Sequence, residues 1–401
     1  MLNIFKIKQL KISDLTLLLI IGGLYSLGLF LSNTFVNVYL WRQANDFITI
    51  ASYNLAIYFF QAITFIIAGK IAKKIDRIIV LRLGVSFLAI FFLTVLLVGK
   101  NASTFHLLLG TLLGIGYGFY WLAFNLLTFE ITEPDTRDYF NGVMGGLESL
   151  GGMIGPLLAG IIINAMVATR GYMVIFSISL LFFILAIIIS FFIKRRHATG
   201  KYQLKQIIIS LKENLNWKYV IFANVAQGIR EGLFIFVITI LVFIMTNSEL
   251  SVGIFNLVIF SVSFIMYIIV TKYIKLENRN RYILIGSIVI SISILLLYIN
   301  FSFLFALIYA VIIGISHPIL NVPFNSLSYD VIGKSNFAKE LRIEYVVTLE
   351  LFVNLGRCFA VIVFIVFLIL FPSLFTIKVL LIVISHSYLF IYYFMKKIQL
   401  N

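Results

Sequence analysis

Residues 171–205 read GYMVIFSISLLFFILAIIISFFIKRRHATGKYQLK. Twenty-three residues pass without a charge and then stop at Lys194, Arg195 and Arg196. About 20 apolar residues cross a bilayer core as a helix, and Lys and Arg collect where a crossing ends on the cytoplasmic side. The stretch therefore reads as a membrane span followed by an inner-surface segment.

Working outward from it, apolar runs bounded by charge, Gly or Pro recur in both directions. They cover roughly 15–40, 46–68, 78–99, 103–128, 140–166, 171–193, 218–246, 252–270, 282–299, 302–327, 341–370 and 373–395, twelve spans in all. Only Phe371, Pro372 and Ser373 separate the last two, and Pro372 cannot continue the helix ladder. Across the 401 residues, 62% are hydrophobic and 12% charged, where a soluble domain has about a quarter charged, so a soluble fold is excluded. The expected fold is an all-α polytopic membrane protein of twelve transmembrane helices in two six-helix halves, 1–193 and 218–401, joined by a segment at 194–217.

The excess of +15 is explained by topology. With the N-terminus inside, 25 of the 31 Lys and Arg fall on inner segments and 4 on outer ones, the other two being Arg230 and Arg357 within spans. Both termini are expected to be cytoplasmic, and the charge argues against a nucleic-acid partner. The N-terminus shows no short apolar core with a cleavage site, so the first span is expected to remain in the mature protein. Richness in Ile, Phe, Lys and Asn points to an AT-rich bacterial genome and hence to a plasma membrane. In 194–217, Leu204, Ile207, Ile208, Leu211 and Leu215 recur at helical spacing opposite Lys201, Lys205 and Lys212, the pattern of a surface helix tethering the two halves.

The chemistry open to the chain is narrow. One cysteine, Cys358, cannot close an internal disulfide, and His106, His197, His317 and His386 are too scattered for local metal ligation. No phosphate loop and no nucleophile elbow occurs, so neither catalysis, a cofactor nor a metal is expected.

Span five contains GVMGGLESLGGMIGPLLAG, with Gly142, Gly151, Gly155, Pro156 and Gly160. Glycines at such spacing let a neighbouring helix approach the backbone, and a proline removes one ladder bond. The stretch resembles the antiporter motif of the major facilitator superfamily, G-x8-G-x3-G-P-x2-G-G, departing at Ala159, and the six-linker-six layout resembles that family throughout. The resemblance implies proton-coupled export. The family's loop between spans two and three, G-x-x-x-D-[RK]-x-G-[RK]-[RK], is matched in part by Gly69, Asp76 and Arg77. Lys73 stands where the acid belongs and Asp76 where the second Gly belongs, a departure at the positions from which the family builds its salt-bridge latch.

Charged side chains inside a bilayer cost about 2.5–3.5 kcal/mol each at a helix centre and usually face a cavity or one another. Glu148 shares a stripe with Gly151 and Gly155 and could carry a proton there; Glu231 and Glu350 are the other coupling candidates. Arg230 points about 100° from Glu231 and needs an acid elsewhere or an anionic substrate. Arg357 shares a face with Glu350; an ion pair is its expected role, and it is also a candidate for the substrate cavity, where with Arg230 it would suit an anionic substrate. Asn224 and Gln227 share a face with Glu231 and are expected to line the substrate cavity. His317, Asn321 and Asn325 stand at i, i+4 and i+8 beside Pro318 and Pro323, and interrupted helices commonly line substrate cavities. Asn33 and Asn37 on span one, and Tyr117, Trp121 and Asn125 on span four, complete the expected cavity lining. Glu130, Glu133, Asp135 and Asp138 read as a solvated loop.

These residues describe a secondary transporter working by alternating access, exporting a small amphipathic or anionic organic molecule against proton entry. Translocation of a lipid or lipid-linked precursor, or proton-coupled import, uses the same features. A membrane-embedded enzyme or sensor would need a concentrated polar constellation or an output domain. The expected partners are a small-molecule substrate, protons and the lipid bilayer, and the expected state is a monomer.

Overall fold

The computed structural model describes residues 13–399 except 132–133, 167, 196–199, 275, 336 and 339. Among them the chain forms α1 (Asp14–Ala44), α2 (Phe47–Lys74), α3 (Arg77–Val98), α4 (His106–Ile131), α5 (Pro134–Ala165), α6 (Ala168–Ser190), α7 (Leu204–Ile209), α8 (Leu215–Thr246), α9 (Glu249–Tyr273), α10 (Arg279–Ser293), α11 (Leu295–Ile299), α12 (Phe303–Gly333), α13 (Arg342–Leu370), α14 (Leu374–Ser385) and α15 (Ser387–Met395). Twelve spans result, with α10 and α11 together making the ninth and α14 and α15 the twelfth. The fold is an all-α polytopic bundle.

Two short connections show how local chemistry sets the turns. Between α1 and α2, Asn45 adopts φ 49° and closes α1, and Asp46 accepts hydrogen bonds from the Ile48 and Thr49 amides. Between α8 and α9, Asn247 adopts φ 48° and Ser248 accepts from the Ser251 amide. Asn tolerates the left-handed conformation, and a following Asp or Ser satisfies the free amides of the next helix. The same two-residue device thus recurs six spans apart.

The packing recurs as well. Among the first six spans α1 packs on α5 and α6, α2 on α4, and α3 on α4 and α6. Among the last six α8 packs on α13 and α15, α9 on α12, and α10 on α12 and α15, the same pairing shifted by six spans. Between the two sets the chief contacts are α5 with α9 and α2 with α13. The ends of the described chain lie on the face that carries the linker: the Lys194 amide meets Asp14, and Asn216 exchanges two hydrogen bonds with Gln399. This is called the linker face below, and its opposite the far face.

Two local expectations are corrected. The linker helix is shorter than its apolar spacing predicts: α7 ends at Ile209, Ile207 is buried against Trp217 and Tyr345, and Leu215 opens α8. The acidic run after span four is not a loop, because α5 begins at Pro134 and takes in positions 135 and 138, while Glu130 pairs with Arg77 at 2.6 Å. Glu133 and His197 lie outside the described residues.

Candidate functional site

The backbones of α8 and α13 meet at three glycines. A Cβ on Gly228 would stand 2.1 Å from the Val353 carbonyl oxygen, one on Gly356 2.3 Å from that of Val225, and one on Gly232 2.7 Å from the Arg357 Cα. Small residues permit this approach, and it sets Glu231 beside Arg357. Arg357 Nη2 lies 2.7 Å and Nε 3.3 Å from Glu231 Oε2, Gln227 donates to Oε1 at 2.7 Å, and Arg357 Nη1 donates to Asn354 at 3.2 Å. The ion pair expected of Arg357 is present, and its partner is Glu231. The Glu350 carboxyl makes no hydrogen bond or ion pair among the described residues, yet stands within charge range of Arg357 and Glu231. The ring of Tyr58, on α2 in the first set, lies 5.5 Å from the Arg357 guanidinium and so brings this cluster to the boundary between the sets.

Among the described residues Arg230 has no acid paired with it. Its guanidinium lies 4.1 Å from the Phe234 ring centre and 4.8 Å from that of Tyr388, and Nη2 donates to the Tyr309 hydroxyl at 3.3 Å. Arg230 is 5% exposed, and its Nε has no hydrogen-bond partner. Tyr309 and Tyr388 carried no signal in sequence, because aromatics make up 16% of the chain and most of them pack or sit at the interface.

On α12, Asn321 lies 3.0 Å from His317 Nε2, and Asn325 is exposed. Tyr267 of α9 is within reach of the Asn321 side chain and of Glu148 on α5, so polar groups of both sets approach one another here. Glu148 itself makes no hydrogen bond or ion pair among the described residues, and Tyr25 and Tyr120 lie near it. Tyr25 stacks on Tyr120 at 3.7 Å and meets Trp121 edge-on at 5.4 Å, with Tyr117 within electrostatic range. Asn125 is exposed and Asn33 half-buried. Two expected lining residues are turned to packing instead. Asn37 accepts from Asn54 Nδ2 at 2.8 Å, which ties α1 to α2, and Asn224 donates back to the Val220 carbonyl of its own helix at 2.8 Å. A buried amide is held by whichever acceptor is near, which in a helix is often the carbonyl four residues back.

The glycine motif of α5 divides in two. Gly151 and Gly155 admit α1, a Cβ on Gly155 falling 2.9 Å from the Leu31 amide, and Gly160 admits α9, at 2.7 Å from the Glu249 carbonyl. Pro156 meets α9 through its own carbonyl, 2.6 Å from the Cβ position of Gly253. Gly142 departs from the expectation of a close approach: among the described residues nothing stands within 4 Å of its Cβ position, nor of those of Gly145 and Gly146. The motif thus packs the far-face part of α5 closely, while nearer the linker face Met144 and Leu147 meet α1 and the face carrying Gly142, Gly145 and Gly146 has nothing against it among the described residues.

Contacts between the two sets occur at each face. On the far face Glu249, 3% exposed, accepts from Arg42 Nε at 2.5 Å and from the Tyr172 hydroxyl at 2.7 Å. On the linker face Lys73 lies 3.1 Å from Glu344, which is fully buried and also accepts from the Gln203 amide at 3.1 Å; Lys73 further donates to the Glu340 carbonyl. The departure at Lys73 is therefore matched by an acid on α13, and a salt bridge is present with a base on α2. Gly69 serves it by close approach, since a Cβ there would stand 2.8 Å from the Tyr202 hydroxyl and 3.0 Å from Val347. Asp76 caps α3 by accepting from the Ile78 amide at 2.7 Å, and Arg77 is taken by Glu130. Arg279 and Asp330, six spans on, make the equivalent pair at 2.5 Å.

A polar cavity of about 510 Å³, lined among others by Glu213, Lys334 and Tyr345, opens on the linker face. Its α8 rim is some four turns from Glu231, so it is separate from the buried polar groups.

Twelve spans, six-span packing repeated, and charge contacts between the two sets at both faces define a membrane transporter. The chain belongs to the Major Facilitator Superfamily, whose family model matches residues 18–343. It is similar to the uncharacterized protein YqgE of Bacillus subtilis, with 49% identity over 96% of this chain and 90% of that one. It is also similar to an uncharacterized protein in the sodM 3′ region of Geobacillus stearothermophilus, 64% identical over 41% of this chain and 76% of that one.

Proposed function

We propose that the protein is a proton-coupled secondary transporter of a bacterial plasma membrane that exports a small amphipathic or anionic organic molecule by alternating access. The observation that carries this reading is the pair of contacts between the two sets, Arg42–Glu249–Tyr172 on one face and Lys73–Glu344 on the other, with polar groups between them. Two six-helix halves, 1–193 and 218–401 with the linker 194–217, rock so that one contact breaks while the other holds. The linker face is cytoplasmic by its Lys and Arg content, and the relatives in Bacillus and Geobacillus accord with a bacterial membrane.

Glu148 and Glu350 are the coupling carboxyls of this reading. An ionised carboxylate inside a bilayer demands a partner, and neither has a hydrogen bond or ion pair among the described residues. Glu231 is held by Arg357 and Gln227, which makes it a fixed counter-ion rather than a proton carrier. Export is favoured over import by the glycine motif of α5, which the resemblance to antiporters attaches to exchange.

The test is a pH gradient across proteoliposomes of purified protein, challenged with drugs, organic anions and lipid precursors. Substrate-dependent collapse of the gradient is expected, and Glu148→Gln or Glu350→Gln should abolish it while substrate exchange without a gradient persists. Collapse at the normal rate in both variants removes the coupling role. No response to any compound by folded protein shifts the reading to lipid translocation.

A further inference from the structure

We propose that Arg230, with the hydroxyls of Tyr309 and Tyr388, forms a binding site for the anionic head group of the substrate, a carboxylate or phosphate. This rests on the transport reading above and specifies what is carried.

The argument begins with two arginines in one half, treated oppositely. Arg357 is matched: Glu231 takes two of its donors and Asn354 a third. Arg230 has five N–H donors available in principle and one hydrogen bond, at 3.3 Å to a neutral hydroxyl. The two rings beside it supply cation–π attraction but take no N–H, and Nε is left without a partner. The side chain is 95% buried, Tyr309 97% and Tyr388 fully buried. A cation removed from water without a carboxylate is costly, and a fold that needed only packing here would be served better by an apolar residue. The Tyr388 hydroxyl is itself buried and lies within interaction range of Arg230, yet it has no partner at ordinary hydrogen-bond geometry, so its proton is left to donate to a ligand beside the guanidinium.

The surroundings supply the means of entry. Tyr388 sits two residues past the break between α14 and α15, where the ladder is interrupted at His386. That break lies against the one between α10 and α11, because Ser291 donates to the Ser385 carbonyl and Ser385 to that of Ile290. On the third side, α12 carries Pro318 and Pro323 beyond Tyr309. One wall of the charge is therefore the interrupted pair α14 and α15, and such broken helices are elements from which transporters of this architecture form binding sites and which move when the halves rock; α12 carries its prolines within one continuous helix. An oxyanion entering from the polar centre would take the free guanidinium edge and both hydroxyls. Phe234 would pack against its apolar body.

The test compares thermal unfolding of wild-type protein, Arg230→Met and Glu231→Gln in nanodiscs without substrate. Methionine keeps the packing volume and removes the uncompensated charge, so R230M is expected to unfold about 2 °C or more above wild type. E231Q, which strips Arg357 of its counter-ion, is expected to unfold below it. Octanoate and octyl phosphate should raise the wild-type midpoint and octylammonium should not, with the rise absent in R230M. A lowered midpoint for R230M comparable to that of E231Q overturns the proposal, since Arg230 would then be a satisfied structural group. An anion-induced rise that persists in R230M, or none in wild type, overturns it too. Unfolding reads the site without transport, so failure here with intact gradient collapse rejects the anion site and leaves the transporter standing.

Discussion

Replacing Lys73 by Met should release the linker face. Glu344 is fully buried and is held by two donors, Lys73 Nζ and the Gln203 amide, each at 3.1 Å, so the substitution leaves an ionised carboxylate with one neutral donor. Breaking a fully buried pair costs about 3–5 kcal/mol. Lys73 retains 12% exposure, which lets water recover part of this and brings the figure to about 2 kcal/mol. That cost falls only on states in which α2 and α13 are joined on the linker face. At about 1.4 kcal/mol per tenfold, the ratio of open to closed forms on this face should rise about 30-fold. The assay is electron–electron double resonance between spin labels on Lys74→Cys and Tyr329→Cys, both exposed positions, with Cys358 replaced by Ser. The charge-swapped pair K73E/E344K should recover part of the closed population that each single change loses, the Gln203 amide remaining unserved. A double variant whose distribution is the plain sum of K73E and E344K would refute the latch.

On the far face, Glu249→Gln removes the charge shared by Arg42 and Tyr172, and maleimide labelling of Leu250→Cys, a half-buried position near Gly160, should accelerate about tenfold for about 1.4 kcal/mol lost. Gly228→Leu drives a side chain into the Val353 carbonyl; overpacking of about 1–3 kcal/mol or more should leave little monodisperse protein in size-exclusion chromatography. Gly142→Ala, with nothing within 4 Å, should leave the unfolding midpoint unchanged or raise it, as alanine is favoured over glycine in a helix interior by about 0.5–1 kcal/mol. Glu231→Gln should cost about 3–5 kcal/mol through the uncompensated Arg357, whereas Glu350→Gln should be near neutral for unfolding.

The spans were legible because crossing a bilayer demands length and apolarity, and both are written along the chain. The exclusion of an Arg230–Glu231 pair was legible too, since neighbours on a helix diverge by 100°. What sequence could not carry was which helix stands opposite. Arg357 shares a face with Glu350, but its counter-ion comes from α8, because Gly228, Gly232 and Gly356 bring two backbones together. Asn37 and Asn224 looked like cavity residues because polarity in a span has two explanations, and only packing tells them apart. Gly142 fits the spacing of its motif, yet no helix among the described residues lies against it, since spacing describes one surface and contact requires two.

The position of Lys73 shows how a departure from a family pattern can preserve its physics. The pattern asks for an acid at the end of span two, and this chain has a base there; read alone, the loop has lost its salt bridge. Across the boundary α13 begins with Glu344 in its first turn, so the pair survives with its signs exchanged. The exchange has an electrostatic consequence. An acid on α2 aimed at the start of α13 gains from the positive helix end, whereas Lys73 on α2 gains from the negative end of its own helix and Glu344 from the positive end of α13. Each charge here is thus stabilised by the helix that carries it, before the two meet. Separating the halves breaks the pair but leaves each end charge with its own helix dipole, which lowers the cost of the open state relative to a pair relying on its partner alone. Under the alternating-access mechanism proposed above, such a latch would close the linker face without trapping it, as a transporter that must reopen on every cycle requires.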